Sequence, residues 1–339
     1  MPSFPGFRVI PALPALVLAV GLLSPACSRE PAASKTLSLA VIPKGTTHEF
    51  WKAIHAGAIK AARELKAQQG LEVTINWKGP LREDDREQQV QVVEGFLSQG
   101  VDGIVLAPLD DRALVRPVEE AARAGIPTVI IDSALASDRI VSFVATDNVK
   151  GGELAADRLG QLLGGTGKVL LLRYQEGSAS TTDRENGFLA RMKAAHPAIQ
   201  VISSDQYAGP TRDTAKRASE NLLNRFGAEL QGIFCVNESS TAGMLLALQD
   251  IGRAGKVPFV GFDSSQAFID AVRTDQLQGL VVQNPLNMGY LGVKTIVAHL
   301  QDQSVERRVD TGVWLISKEN IDTPESQTLL KPPVDEFLN

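Results

Sequence analysis

The chain has 339 residues, a formal net charge of −5 and only 5% aromatic residues. That length accommodates two domains with developed cores. The balanced charge, with no basic run, excludes a nucleic-acid-binding surface, and two cysteines exclude a disulfide framework.

In chain order, Arg8 precedes the apolar stretch VIPALPALVLAVGLL (9–23), which proline breaks and which is too short for a membrane span. It runs into LLSPACS, so residues 1–27 are expected to be an export signal of lipoprotein type, acylated at Cys27. Cleavage near Ala26 or an uncleaved anchor are the alternatives, and all three place the protein in the periplasm or cell envelope. Residues 28–36 then form a polar tether. The second cysteine, Cys235, lies in the apolar run GIFCVN and is expected to be packing.

Beyond the tether, short apolar runs alternate with helical stretches. The expected strands are 36–42, 72–77, 103–108, 128–132, 141–147, 168–172, 199–203, 232–237, 259–263, 279–283 and 312–317. Their hydrophobicity is continuous rather than alternating, the mark of parallel strands covered on both faces. Between them, the stretch 50–68 carries Ile54, Ala58, Ala61 and Leu65 at helical spacing. The fold class is α/β, doubly wound. One plan occurs twice: RAGIPTVIIDS (123–133) and RAGKVPFVGFDS (253–264) each lead through a proline and an apolar strand to Asp-Ser. Two copies of one architecture, with the carboxyl ends of their strands facing each other, enclose a cleft onto which Asp132 and Asp263 open.

Catalytic chemistry is missing from the sequence. No G-x-G-x-x-G follows a strand, and GGTGK (164–168) precedes one and reads as a turn. No nucleophile elbow is present, the four histidines lack metal spacing, and the Asp pairs at 84–85 and 110–111 lack the rest of a calcium loop. The expectation is a protein that is not an enzyme and uses no cofactor or metal.

Polar groups instead gather at strand ends. Lys44 follows the first strand, Asp132 the fourth, and Asn237, Asp263 and Gln283 end later ones. Asp183 and Arg184 stand at a helix start, and Phe50 and Trp51 open the first long helix, where adjacent positions cannot share one face, so one is expected in the core. Carboxylates, amides and a guanidinium beside flat aromatics suit a polyhydroxylated ligand. Charges removed from water must find partners, so Lys44 is expected against Asp132 or Asp183, and Arg184 against Asp263.

Together with VDGIVLAP, AGIPTVIID, ATDNVKGGELAA, DRENGF, IFCVNE and VGFD, these residues resemble the periplasmic sugar-binding proteins of ABC transporters, ribose-binding type, over roughly 37–317. The resemblance implies two doubly wound lobes joined by a three-segment hinge, the first comprising 37–146 plus 284–311 and the second 147–283 plus 312–339. It implies ligand roles for Phe50, Trp51, Asp132, Arg184, Asn237, Asp263 and Gln283, a membrane permease as partner, and a monomer. IPK at 42–44, the GP of WKGP, IDS and TTD are similar to the branch that binds autoinducer-2, which adds Lys44 and Asp183. A sensor presenting its closed form to a signalling partner is the alternative use of the same fold.

Overall fold

A computed structural model describes residues 6, 8–12 and 36–338. Cys27 and the rest of the expected signal fall outside the described residues, apart from residues 6 and 8–12. None of the described helices is long and apolar enough to cross a membrane.

The first lobe begins with β1 (Thr36–Ile42), α1 (Glu49–Gln69), β2 (Glu72–Trp77), α2 (Arg86–Gln99), β3 (Gly103–Leu106), α3 (Val115–Arg123), β4 (Thr128–Ile131) and β5 (Ser142–Ala145). The second runs through α4 (Asn148–Leu162), β6 (Gly167–Leu172), α5 (Ala179–Ala195), β7 (Ile199–Ser203), α6 (Arg212–Phe226), β8 (Gly232–Cys235), α7 (Glu238–Asp250), β9 (Phe259–Phe262), α8 (Gln266–Arg273) and β10 (Gly279–Val282). The chain returns to the first lobe for α9 (Pro285–Leu300) and β11 (Arg308–Asp310), then recrosses to β12 (Trp314–Ile316) and α10 (Pro324–Leu330). The sheets are ordered β11-β5-β4-β3-β1-β2 and β12-β10-β9-β8-β6-β7, two statements of one topology. All pairings are parallel except β10 with β12. The central strands TVII, GIFC, FVGF and GLVV are buried at every position, as a sheet covered by helices on both faces demands. Cys235 lies fully buried in the second-lobe core. Strand β11, which the sequence reading did not anticipate, is a three-residue edge strand without an apolar run.

In each lobe two helices approach so closely that only glycine fits. A Cβ on Gly57 of α1 would stand 1.9 Å from the Leu286 carbonyl oxygen of α9, and one on Gly152 of α4 would stand 2.0 Å from that of Arg184 on α5. The second contact sets the depth at which α5 presents Arg184. Gly152→Val should therefore destabilise the fold by about 3 kcal/mol, because backbone cannot yield as a side chain can. Gly95→Ala, in α2 with no atom within 4 Å of the new methyl, should stabilise by up to ~1 kcal/mol. Urea titration of both variants checks the contrast.

Three segments cross between lobes: 146–147, 283–284 and 311–313. The first and third are braced together, with Thr146 Oγ1 lying 3.4 Å from Thr311 Oγ1 and Arg308 donating to the carbonyls of Ala145 and Thr146 at 2.7 and 3.0 Å. The chain end departs from the expected division. Helix α10 stays with the second lobe, where Leu330 joins the core. Helix α11 (Val334–Leu338) instead lies on α1 of the first lobe, where Arg63 donates to the carbonyls of Glu336 and Phe337 at 2.9 and 3.0 Å. The guanidinium also covers the Phe337 ring, which explains why the tail crosses back.

Candidate functional site

Asp132 and Asp263 occupy equivalent places, one residue beyond β4 and β9. Both adopt left-handed backbone, with φ of 62° and 69°. Asp tolerates this conformation better than most residues, and such strain is retained where a side chain must be aimed. The backbone N–H of each still donates to the adjacent strand, Asp132 to Val144 and Asp263 to Val281. The turn thus leaves the ladder intact while directing each carboxylate out of the sheet end. The two line one cavity, Asp132 from the first lobe and Asp263 from the second.

Other walls of the cavity come from Lys44, Phe50, Trp51, Arg184, Asn237 and Gln283. Lys44 Nζ lies 2.8 Å from Asp132 Oδ2, with both side chains buried. That oxygen is close enough for an ion pair but is not aligned as a hydrogen-bond acceptor, and it has no other partner. Lys44 also reaches across to Ser180 Oγ at 3.1 Å and Ser178 Oγ at 3.4 Å in the second lobe. Asp263 accepts from Gln283 Nε2 at 2.7 Å and from the Glu238 N–H at 2.9 Å. Burial raises its pKa, against the pull of Arg184 and Gln283, and the nearby Asp132 adds to the rise. Gln283 Oε1 is buried without a partner.

Two expectations need correcting. Arg184 makes no ion pair with Asp263. Its Nε donates to Asn148 Oδ1 at 2.8 Å, its Nη1 to the Val236 carbonyl at 2.9 Å, and its plane stacks 3.8 Å above the Phe262 ring. These contacts hold the guanidinium, which acts on Asp263 only through space. Asp183 does not reach the cavity. Helix α5 already starts at Ala179, so Asp183 is one helical step, about 100°, from Arg184. It lines a separate surface hollow with Arg86 and Asp110. Asn237 borders the cavity, but its side chain accepts from the Ser240 N–H in a capping box at the start of α7. As for the aromatics, Trp51 is the core member and Phe50 is half-buried, the rings meeting edge to face at 5.0 Å.

Residues the sequence reading did not single out complete the site. His48, Glu83 and Tyr174 form a buried cluster in which Glu83 takes Trp51 Nε1 at 2.6 Å, His48 Nδ1 at 2.8 Å and the Tyr174 hydroxyl. Burial disfavours a charged His48, yet the Glu83 carboxylate outweighs it and lifts the imidazole to about 9. Burial likewise works against an ionised Glu83, but His48 and the Trp51 and Tyr174 donors hold it at about 2. Glu238 adds another buried carboxylate, paired with Arg212 at 2.7 Å.

The lobes stand closed on one another. Ser180 N–H donates to Ser133 Oγ at 3.0 Å and Asp111 N–H to the Gly177 carbonyl at 2.9 Å, both across the interface. The central cavity is accordingly about 30 Å³, room for a water or two. A larger hollow of about 520 Å³ adjoins it through Phe50, Asp263 and Gln283, with the tail from Leu329 to Asp335 as part of its wall. Among the described residues no cluster of three or more His, Cys, Asp or Glu is arranged to hold a metal ion.

Glu185 lies behind the site on α5 and is the exception to this pairing. One of its carboxylate oxygens has no partner and the other is 3.6 Å from Arg173. Burial raises its pKa to about 7 from 4.5. The native state therefore binds a proton the unfolded chain has released, and stability declines as pH rises from about 4.5 through 7. Glu185→Gln should raise Tm at pH 8, by the equivalent of up to about 3 kcal/mol, with the gain shrinking towards pH 4.5. Melting curves across that range check it.

Comparison with known proteins gives a consistent picture. Residues 39–304 match the family model described as a periplasmic binding protein domain. The chain is 30% identical over 306 residues to the ribose import binding protein of Haemophilus influenzae, covering 90% of this chain and 99% of the relative. It is 31% identical over 269 residues to the D-allose-binding periplasmic protein of Escherichia coli, covering 76% and 83%. Among solved structures, a carbohydrate transporter solute-binding protein of Agrobacterium radiobacter in complex with D-arabinose aligns with a TM-score of 0.82 at 31% identity, over 87% of this chain and 99% of that one. A solute-binding protein of Agrobacterium vitis with bound D-fucose aligns at 0.81 with 37% identity, over 86% and 99%.

Proposed function

The chain belongs to the periplasmic binding protein family, and from that premise we propose that its ligand is a small neutral sugar or polyol held between Asp132 and Asp263. It is an extracytoplasmic solute-binding protein of the kind that serves ABC importers, and not an enzyme. The relatives are named for import and sugar binding, which does not favour a signalling receptor.

The observation that carries the ligand reading is the pair of left-handed aspartates, one from each lobe, opening onto one cavity. A carboxylate accepts several hydrogen bonds and donates none, which suits adjacent hydroxyls. Charge balance points the same way. Lys44, His48 and Arg184, with Arg212 at the rim, offset Asp132, Glu83, Asp263 and Glu238. An ionic ligand would enter a site whose charges are already matched, and would have to unpair one of them.

A sugar ring exceeds the closed cavity, so the ligand enters with the lobes apart and holds them slightly wider than they stand here. The hinge segments 146–147, 283–284 and 311–313 absorb that movement, and the closed form is the one offered to a membrane permease. Export by the N-terminal segment, acylation of Cys27 and a monomeric state complete the proposal. Autoinducer-2 belongs among the test compounds, because Lys44 and Asp132 stand together at the cavity wall, although Asp183 lies outside it.

Thermal-shift measurements with D-ribose, D-allose, D-arabinose, D-fucose, xylitol and autoinducer-2 test the reading. A ligand specific for the native state at 100 times its Kd stabilises by about 2.7 kcal/mol, so at least one compound should raise Tm by several degrees. A flat response to all six, with a rise for sugar phosphates or sugar acids, would replace the neutral ligand by an anion.

A further inference from the structure

We propose that Glu83 is a positioning residue that couples lobe closure to retention of the ligand, by fixing Trp51 within the first lobe and accepting a hydrogen bond from Tyr174 of the second. The proposal rests on the sugar-binding reading above.

Glu83 lies in the loop between β2 and α2, within the charged run REDDRE, yet only 5% of it is exposed. A carboxylate is costly to bury unless its oxygens are satisfied, and here the donors come from two bodies. Oε1 takes Trp51 Nε1 and His48 Nδ1, both on the loop and helix that follow β1. These bonds belong to the first lobe alone and need no closure. Oε2 takes the Tyr174 hydroxyl, and the Glu83 carbonyl takes Gln175 Nε2 at 2.8 Å. Tyr174 and Gln175 lie just past the end of β6, after Arg173, so this second pair of bonds exists only while the lobes are together.

Tyr174 is itself fully buried, in the same second-lobe core cluster as Phe188 and Phe234. Its hydroxyl is therefore carried as a fixed donor on a rigid body. When the lobes part, Glu83 Oε2 and the phenol both become exposed to solvent. When they close, water is excluded and a charge-assisted hydrogen bond takes its place, stronger in the dry interface than at a surface. Through Oε1 the same carboxylate holds the Trp51 indole, which packs edge to face on Phe50 at the cavity wall. Glu83 thus stands in the wall of the same cavity as the aspartates, linking the aromatic wall of one lobe to the core of the other.

The test uses the mature protein and whichever of D-ribose, D-allose, D-arabinose, D-fucose, xylitol and autoinducer-2 raises its Tm most. Stopped-flow tryptophan fluorescence gives kon and koff for wild type, Glu83→Gln, Tyr174→Phe and the double variant. Each single change should raise koff by ~10- to 100-fold, the range for a lost hydrogen bond to a charge, and leave kon within about threefold. The double variant should release ligand no faster than Glu83→Gln alone, since both changes remove one interaction. A koff for Tyr174→Phe equal to wild type, multiplicative effects in the double variant, or a loss confined to kon each overturns the proposal. Should Glu83→Gln fail to fold, Tyr174→Phe, which keeps the buried ring, decides the matter alone. A flat response to these four sugars and to xylitol and autoinducer-2 as well removes the proposed ligand class and this inference with it, whereas a ligand response with unaltered koff removes the inference only.

Discussion

Asp263→Asn is expected to weaken sugar binding by about 100-fold or more, within the ~2–5 kcal/mol typical of removing a buried charged partner. Asn is the informative replacement because it, like Asp, tolerates the φ of 69° at this position. Alanine would add backbone strain to the loss of the acceptor and confuse the two effects. In the wild type Asp263 Oδ1 takes Gln283 and Oδ2 takes the Glu238 N–H. These contacts orient the carboxylate towards the cavity, and Arg184 supplies positive potential behind it. With Asn, one oxygen becomes a donor that faces existing donors, and the charge that Arg184 opposes is gone. Isothermal titration of the variant with the best-binding sugar measures the loss. Wild-type affinity in Asp263→Asn would remove Asp263 from the ligand set.

Lys44→Met should cost a similar amount by a different route. Lys44 and Asp132 are an ion pair with side-chain exposures of 4% each. Removing one partner from such a pair typically costs 3–5 kcal/mol, because the other charge is left buried. Here the penalty falls on closure rather than on folding. With the lobes apart Asp132 faces water, and the Ser178 and Ser180 hydroxyls that complete the Lys44 shell belong to the other lobe. The expected result is affinity reduced by about 100-fold or more, with Tm in the absence of sugar within about 2 °C of wild type. A large fall in that Tm, with affinity preserved, would make Lys44 a structural residue instead.

The doubly wound architecture was legible because parallel strands buried on both faces leave an unmistakable apolar run, and because the Arg-Ala-Gly to Asp-Ser plan occurs twice. The equivalence of Asp132 and Asp263 follows from that repeat, and the structure adds the left-handed turn that aims both. Edge strand β11 escaped notice for the converse reason, being three residues of mostly exposed chain. Asp183 was misplaced through a helix boundary: a start at Ala179 instead of near Asp183 turns the side chain away by several residues of helical rotation. Arg184 lost its expected partner because a carbonyl, an amide and an aromatic face can hold a guanidinium without a carboxylate. Glu83 and His48 were invisible for a deeper reason. In sequence, Glu83 sits among solvated acids and His48 is a lone histidine before a helix. Only the juxtaposition of the β1–α1 and β2–α2 loops with the end of β6 turns them into a buried pair.

The tail that leaves α10 and settles as α11 on α1 acts as a short leash between the moving bodies. Only Lys331, Pro332 and Pro333 separate its two moorings, and paired prolines give little slack. A swing of one lobe away from the other must either stretch those three residues or peel α11 from Arg63. A chain ending at Leu330 should therefore gape more widely without sugar, seen as a larger radius of gyration in small-angle scattering, and an unchanged radius would show that the leash never draws taut.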